Sequence, residues 1–249
     1  MTEGTTQERG VIYVAAHRPS SVAEAAASAE SLRRIHPNLP ATLFTDVPGE
    51  FEVSPGPFTS VVRRRWCEGE RGCRGGRICK LSAMADSPYE RTLFVDTDTR
   101  IRQPIDSIFD MLDEVDIAIT EALISFSRDQ WKSRMFNSGV IAFRRTDQVR
   151  RMLADWKLTL CYHHELMMAG PSSVPAYFRH IPDVSVRQRL LKFDQIALVQ
   201  HFSPDYNPYE LRVKVLDQSW NYRAPWRGLG DPPRIHHSDE YKVEPGIPW

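Results

Sequence analysis

The sequence predicts an α/β fold with a mixed, mainly parallel sheet flanked by helices, and three observations predict it. An apolar run after Gly10, Val11 to Ala16, is followed by Ala-rich sequence of high helix propensity to about Ile35, and then by a second apolar run, Ala41 to Asp46. Strand, helix, strand in that order is a βαβ unit, which requires parallel strands and a right-handed crossover. The later runs at Leu93–Val95, Asp116–Thr120 and Phe136–Phe143 are short, β-prone and separated by helical patterns. The length, 249 residues, fits one large α/β domain or two small ones. With no internal repeat and no low-complexity tract, we expect a single domain over residues 1–249.

Taken in order, Ser20 or Ser21 should cap the first helix, with Glu24 near the position of a capping box, and Pro37 and Pro40 should end it. Phe58–Val62 reads as a short third strand and Ile78–Asp86 as a helix with Leu81, Met84 and Ala85 at core spacing. Pro104 and Ser107 open a helix whose Ile108, Phe109 and Leu112 share a face. Thr146 or Asp147 caps a helix running to about Leu160, with Met152, Leu153 and Trp156 as its stripe. His163 and His164 lack the spacing of a zinc helix and read as helix-end or loop residues. Arg187–Val199 reads as one helix, Leu211–Leu216 as a strand, and Pro232–Ser238 as a short late segment.

The bulk composition excludes several classes. Lys plus Arg and Asp plus Glu are both 32, so the formal net charge is zero, which argues against a generic binder of nucleic acid or anionic membrane. No apolar run is long enough for a membrane span. Met1–Gly10 is polar and carries Glu3 and Glu8, unlike a secretion signal, and Cys67, Cys73 and Cys79 do not have zinc-site spacing. We therefore expect reduced thiols and a cytoplasmic protein. The strongest local charge excess is the stretch 61–80, where Arg63, Arg64, Arg65, Arg71, Arg74, Arg77 and Lys80 face only Glu68 and Glu70. It reads as a solvated loop or a contact for an anionic ligand.

Chemistry concentrates where the strand Leu93–Val95 runs into Asp96-Thr97-Asp98. Ligands of open α/β sheets gather beyond the carboxyl ends of strands. In extended chain, residues i and i+2 face the same way, so both carboxylates would converge on one point. Two converging carboxylates suit a hard divalent cation, Mg²⁺ or Mn²⁺, bridging to a diphosphate. Asn137 and Ser138, at the start of another strand, place an amide and a hydroxyl where a ligand could meet them.

The ordered set Lys80, Asp96-Thr97-Asp98, Phe136-Asn137-Ser138-Gly139-Val140, Asp194-Gln195 and Ile235-His236 resembles glycosyltransferases of the GT-A, Rossmann-like fold. The nearest resemblance is to the retaining family 8 group that includes glycogenin and its bacterial relatives. It covers Val11 to about His237. It implies a nucleotide-diphospho-sugar donor, UDP-linked by family default, an acceptor of unknown kind (small molecule, glycan, protein or nucleic acid), and retention of configuration. It implies Asp96, Asp98 and His236 as metal ligands, with the adjacent His237 a one-residue alternative. A mixed carboxylate and imidazole set favours Mn²⁺ over Mg²⁺. Lys80 would contact donor phosphate or sugar, Asn137, Ser138 and Gly139 the donor sugar, and Asp194 and Gln195 the reacting centre. Ala15, Ala16 and His17 stand where the family carries an Asp and a nearby Tyr against the base, and Ser238-Asp239-Glu240 departs from the family's glycine-bearing continuation. Residues 10–135 would form mainly the donor half and 136–249 the acceptor half, with Gly170–Pro182 and the Trp220–Trp226 aromatics on the acceptor side.

Two other readings compete. Haloacid-dehalogenase-type phosphatases also carry D-x-D at a strand end, but their pattern wants Thr or Val where this chain has Arg100, and no Gly-Asp-x-x-x-Asp follows. A GT-A scaffold retained only for binding would have no need of Asp96, Asp98, Lys80 and a late histidine together.

Overall fold

The computed structural model describes residues 7–48, 56–65, 76–126, 131–170, 173, 175, 178, 179, 181, 183–224 and 232–243. Arg71, Arg74, Cys67, Cys73, most of Gly170–Pro182 and the Pro225–Trp226 pair lie outside the described residues.

Seven strands form the main sheet: β1 (Gln7–Ala15), β2 (Ala41–Thr45), β3 (Ser60–Arg63), β4 (Tyr89–Val95), β6 (Ile117–Phe126), β7 (Trp131–Arg144) and β8 (Val213–Leu216). Their order is β3-β2-β1-β4-β7-β6-β8, and only β7 runs against the rest. A second, two-stranded sheet pairs β5 (Thr99–Ile101) with β9 (Ile235–His237). The helices are α1 (Pro19–Ile35), α2 (Gly76–Ala85), α3 (Asp106–Met111), α4 (Asp147–Ala169), α5 (Val184–Leu190) and α6 (Asp194–Val199).

Strand alternation divides the core in two. Val11, Tyr13, Ala15, Leu93 and Val95 face α1 and α3, whereas Ile12, Ile78, Leu81, Phe94 and Trp156 share the cluster built with α2, α4 and α6. Burial on both faces is what the near-continuous apolar runs of β1, β2 and β4 require.

Several elements differ from the sequence expectation. Helix α1 begins at Pro19 after Arg18, without a side-chain cap, and Glu24 is buried instead of closing a capping box. Strands β6 and β7 form a long hairpin beyond the apolar runs that announced them. The predicted helix 187–199 is two helices, and the break at Leu191–Phe193 places Asp194 in the first turn of α6. Acidic side chains are favourable there because backbone N–H groups at a helix start are unpaired.

Helix α4 continues past Leu160 to Ala169, so His163 and His164 are helical, and His163 is fully buried. Burial pushes the His163 imidazole down to about 4, with His201 adding to the effect. The folded state thus keeps this ring neutral while the unfolded chain protonates it below its ordinary value. Stability from this group is complete at neutral pH and falls as pH drops from about 6.5 towards 4, by about 3 kcal/mol in all. Urea unfolding across that range should show a steeper loss for the native chain than for His163→Leu. Equal slopes would contradict this account.

Candidate active site

The site lies at the carboxyl ends of β1 and β4, in an open cleft of about 320 Å³. It is assembled by the turn after β4. Asp96 and Asp98 flank Thr97 in a tight turn, not in extended chain, so their convergence comes from the turn and from β5 pairing with β9. The Asp96 N–H donates to Gly139 O at 2.9 Å, and Thr99 Oγ1 donates to Asp96 O at 2.7 Å. From α1, Ser28 meets Thr99 at 2.8 Å and Ser31 Oγ accepts from Ile101 N at 2.8 Å, which fastens β5 to the helix.

A bulge sets the opposite wall. Ile119 pairs with Ile141, yet the next residue, Thr120, pairs with Asn137, so Ser138, Gly139 and Val140 have no partner on β6, while Val140 keeps its pairing with Val95 of β4. Bulges of this kind re-aim side chains at sites. Gly139 is the middle one of these three residues. A Cβ there would stand 2.7 Å from His237 Cε1 and 3.1 Å from Asp96 Oδ2, so only glycine leaves room for both ligand candidates.

His237, not His236, joins the aspartates. Its Nε2 lies 3.0 Å from Asp98 Oδ1 and 3.9 Å from Asp96 Oδ2. Potential ligand atoms of Asp96, Asp98 and His237 all fall within 4.8 Å of one another. His236 is corrected by strand parity, because consecutive strand residues face opposite ways. Its Nδ1 meets Tyr241 Oη at 2.6 Å and its Nε2 lies 3.2 Å from Ala224 O, away from the carboxylates. Two carboxylates and one imidazole at this separation could hold a divalent cation.

The two carboxylates differ. Burial pushes the Asp96 carboxyl up, against the pull of Lys80 and His237. Burial acts the same way on Asp98, but there the hydrogen bond and charge of His237, with Lys242, prevail and hold it down at about 2.

Beyond the aspartates stands a buried ion network. Lys80 Nζ lies 3.4 Å from Asp96 Oδ1 and 3.3 Å from Asp194 Oδ2, and also donates to Ser138 O. It sits 4.5 Å over the Phe94 ring. Ser138 Oγ donates to Asp194 Oδ2 at 2.7 Å, and Trp156 Nε1 donates to the Asp194 carbonyl at 2.8 Å. Burial would raise the Asp194 carboxyl, but Lys80 and Arg77 outweigh it and hold it below the ordinary range.

Of the residues expected at the site, Ala16, His17, Lys80, Asp96, Thr97, Asp98, Ser138, Asp194 and Gln195 line this one cleft. Ala15 does not; it is fully buried in the core facing α1. Asn137 is also turned from the cleft, its Oδ1 accepting from Gly139 N and Asn221 Nδ2, each at 2.9 Å. His17 has a left-handed backbone, φ 67°, and is held by Asp46 through both its N–H at 2.7 Å and its ring at 2.8 Å.

Sequence reasoning missed Glu24, Arg223 and Lys242, which also line the cleft. Glu24 accepts from Thr97 Oγ1 at 3.0 Å and from Val243 N at 3.1 Å, tying the aspartate turn to the segment after β9. Lys242 Nζ reaches within 3.6 Å of Asp98 Oδ2. A lone acid on the Ala/Ser face of α1 was the available signal for Glu24. Nothing local marks the other two.

No protein-family model matches this chain. No curated protein matches it either. Its backbone is similar to solved glycosyltransferases. One is GlyE from Streptococcus pneumoniae TIGR4, at 13% identity and TM-score 0.55 over 92% of this chain and 55% of that one. Another is the galactosyltransferase LgtC, solved with donor and acceptor sugar analogs, at 12% identity and TM-score 0.52 over 92% of this chain and 87% of that one. The bifunctional WbbM is similar over 95% of this chain and 46% of that one, at 12% identity and TM-score 0.52. The chain thus spans about half the length of GlyE and of WbbM. Among the described residues, no helix is long and apolar enough to cross a membrane. With its mostly parallel sheet, single reversed strand and small second sheet, the chain has the GT-A fold of these glycosyltransferases.

Proposed function

We propose that this protein transfers a sugar from a nucleotide-diphospho-sugar to an acceptor, with a divalent ion, Mn²⁺ in preference to Mg²⁺, held by Asp96, Asp98 and His237. The observation that carries this reading is the meeting, in one cleft of a glycosyltransferase fold, of that ligand triad with the buried Lys80–Asp194 pair. When bound, the ion would supply Lewis-acid stabilisation of the diphosphate that departs.

The chain's own residues supply the rest. Arg18, Arg77, Lys80, Arg223 and Lys242 line the cleft and match the charge of a diphosphate. Their stabilisation grows as negative charge accumulates on the leaving oxygen, so it favours the transition state over the ground state. Asp194, kept ionised and oriented by Lys80 and Ser138, faces the place of the reacting sugar, where an anion stabilises an oxocarbenium-like centre. Gln195 beside it orients the sugar. The base lies towards Ala16 and His17. We assign residues 10–135 mainly to the donor and 136–249 mainly to the acceptor, with UDP as the nucleotide and retention as the outcome. His237 and Lys242 then reach the donor site from the acceptor half.

Calorimetric titration with UDP and GDP, each with Mn²⁺ and with EDTA, tests the proposal. Binding of one nucleotide that disappears with EDTA is expected. Binding of neither in the presence of Mn²⁺ would overturn it.

A further inference from the structure

The structure determines which nitrogen of His237 carries its proton, through a chain of contacts that begins at a donor whose role admits no choice. The Gly139 N–H is a backbone donor. Its partner at 2.9 Å on Asn137 is therefore the carbonyl oxygen, Oδ1. The Asn221 atom that meets the same oxygen at 2.9 Å must then be the amide nitrogen, Nδ2, and this nitrogen also lies 3.4 Å from Thr120 Oγ1. The other atom of that amide is Oδ1, an acceptor only, and it faces His237 Nδ1 at 2.9 Å. Nδ1 must carry the proton. All three side chains are buried, so water does not offer them other partners readily.

Arg223 does not upset this assignment. Its Nη1 is 3.0 Å from Nδ1 and 3.1 Å from Nε2 of His237. A nitrogen equidistant from both ring nitrogens is aligned with neither in-plane lone pair, and it lies against the ring between them.

We propose that Asn137 and Asn221 are positioning residues that keep Nδ1 of His237 protonated, so that Nε2, hydrogen-bonded to Asp98 Oδ1 at 3.0 Å, is the nitrogen left for a cation that displaces the proton between them. Imidazole binds a metal only through an unprotonated nitrogen, and the group on the far nitrogen decides which one that is. The role gives Asn137 a different task from the sugar contact that the sequence suggested. It also explains why the β7 bulge carries Asn and Gly together: Gly139 supplies the first donor and the space for the ring, and Asn137 starts the relay. The inference about metal affinity rests on the function proposed above; the tautomer does not.

The test uses long-range proton–nitrogen correlation spectra of histidine-labelled, EDTA-treated protein at neutral pH, together with Mn²⁺ titration followed by electron paramagnetic resonance. Native protein should show His237 protonated at Nδ1. Asn221→Asp keeps an acceptor for Nδ1–H and should keep that signature. Asn221→Leu keeps approximate size without an acceptor; it should lose the signature and weaken Mn²⁺ binding by about 10–100-fold, the usual range for outer-shell partners. A bare Nδ1 in the native protein, or an Nδ1 still protonated in Asn221→Leu, would overturn the relay. The expected signature in a protein that binds no Mn²⁺ would support the relay and overturn the metal reading instead.

Discussion

Asp98→Asn should lose at least about a hundredfold in Mn²⁺ affinity, more than is usual for residues that only support a ligand, and about 10²–10³-fold in turnover. The substitution keeps the shape of the side chain and removes its charge. Asp98 is held well below the ordinary carboxylate range, with His237 Nε2 at 3.0 Å and Lys242 Nζ at 3.6 Å. It therefore stays ionised and faces cationic groups in this structure. The fold should survive, because the turn is secured through the Asp98 carbonyl, which accepts from Ser238 N at 3.1 Å, and through Thr99 and Thr97. Thermal unfolding by circular dichroism checks the fold, and paramagnetic titration and donor turnover check the site. Native affinity and native turnover in this variant would refute the assignment.

Lys80→Met should be the most destabilising single change in the cleft. Lys80 is 5% exposed and Asp194 4%, and they face each other at 3.3 Å. Removing the lysine leaves Asp194 buried without its nearest cation, which costs about 3–5 kcal/mol in comparable buried pairs. Arg77, its Nε 3.7 Å from Asp194 Oδ1 on a partly exposed side chain, would offset part of that cost and place the loss at the lower end of the range. Adding Asp194→Asn removes the stranded charge, since Ser138 can still donate to the amide oxygen. The double variant should recover most of the lost stability and none of the activity. Urea midpoints of the two variants and the parent decide the matter. A double variant no more stable than Lys80→Met would show that the cost lay in packing over Phe94. The pair also has a pH signature. A carboxyl depressed in the folded state contributes above its unfolded value and loses that contribution as pH falls through its folded one, so the parent should lose stability in acid more steeply than the double variant.

Much of this architecture is legible in the sequence where local pattern and tertiary demand coincide. The runs Val11–Ala16, Ala41–Asp46 and Leu93–Val95 are buried on both faces, and such strands announce themselves by unbroken apolar character. The aspartate pair is legible too, although by an argument from strand alternation that the structure replaces with a turn. Other features depend on partners remote in the chain. His236 and His237 are chemically identical choices until Thr99 is known to pair with His237; a slip of one residue exchanges the faces. The break before Asp194 occurs at Leu191–Phe193, with no Gly or Pro to mark it, because the Trp156 indole and Lys80 hold Asp194 from outside its own segment. Asn221 acquires meaning only through Asn137, and Glu24 only through Thr97 and Val243.

The docking of β9 on β5 has a consequence for how the molecule comes into being. Strands β1 to β7 and the Asp96–Asp98 turn precede residue 145, whereas His237, Lys242 and the N–H that meets Glu24 belong to residues 235–243. A ribosome delivering this chain from its N-terminus exposes nearly the whole sheet before it exposes the pieces that complete the cleft. The main sheet and helices α1 to α6 therefore all precede in the chain the residues that complete the cleft. Removal of residues 235–243 should likewise leave a folded body whose cleft lacks His237 and Lys242.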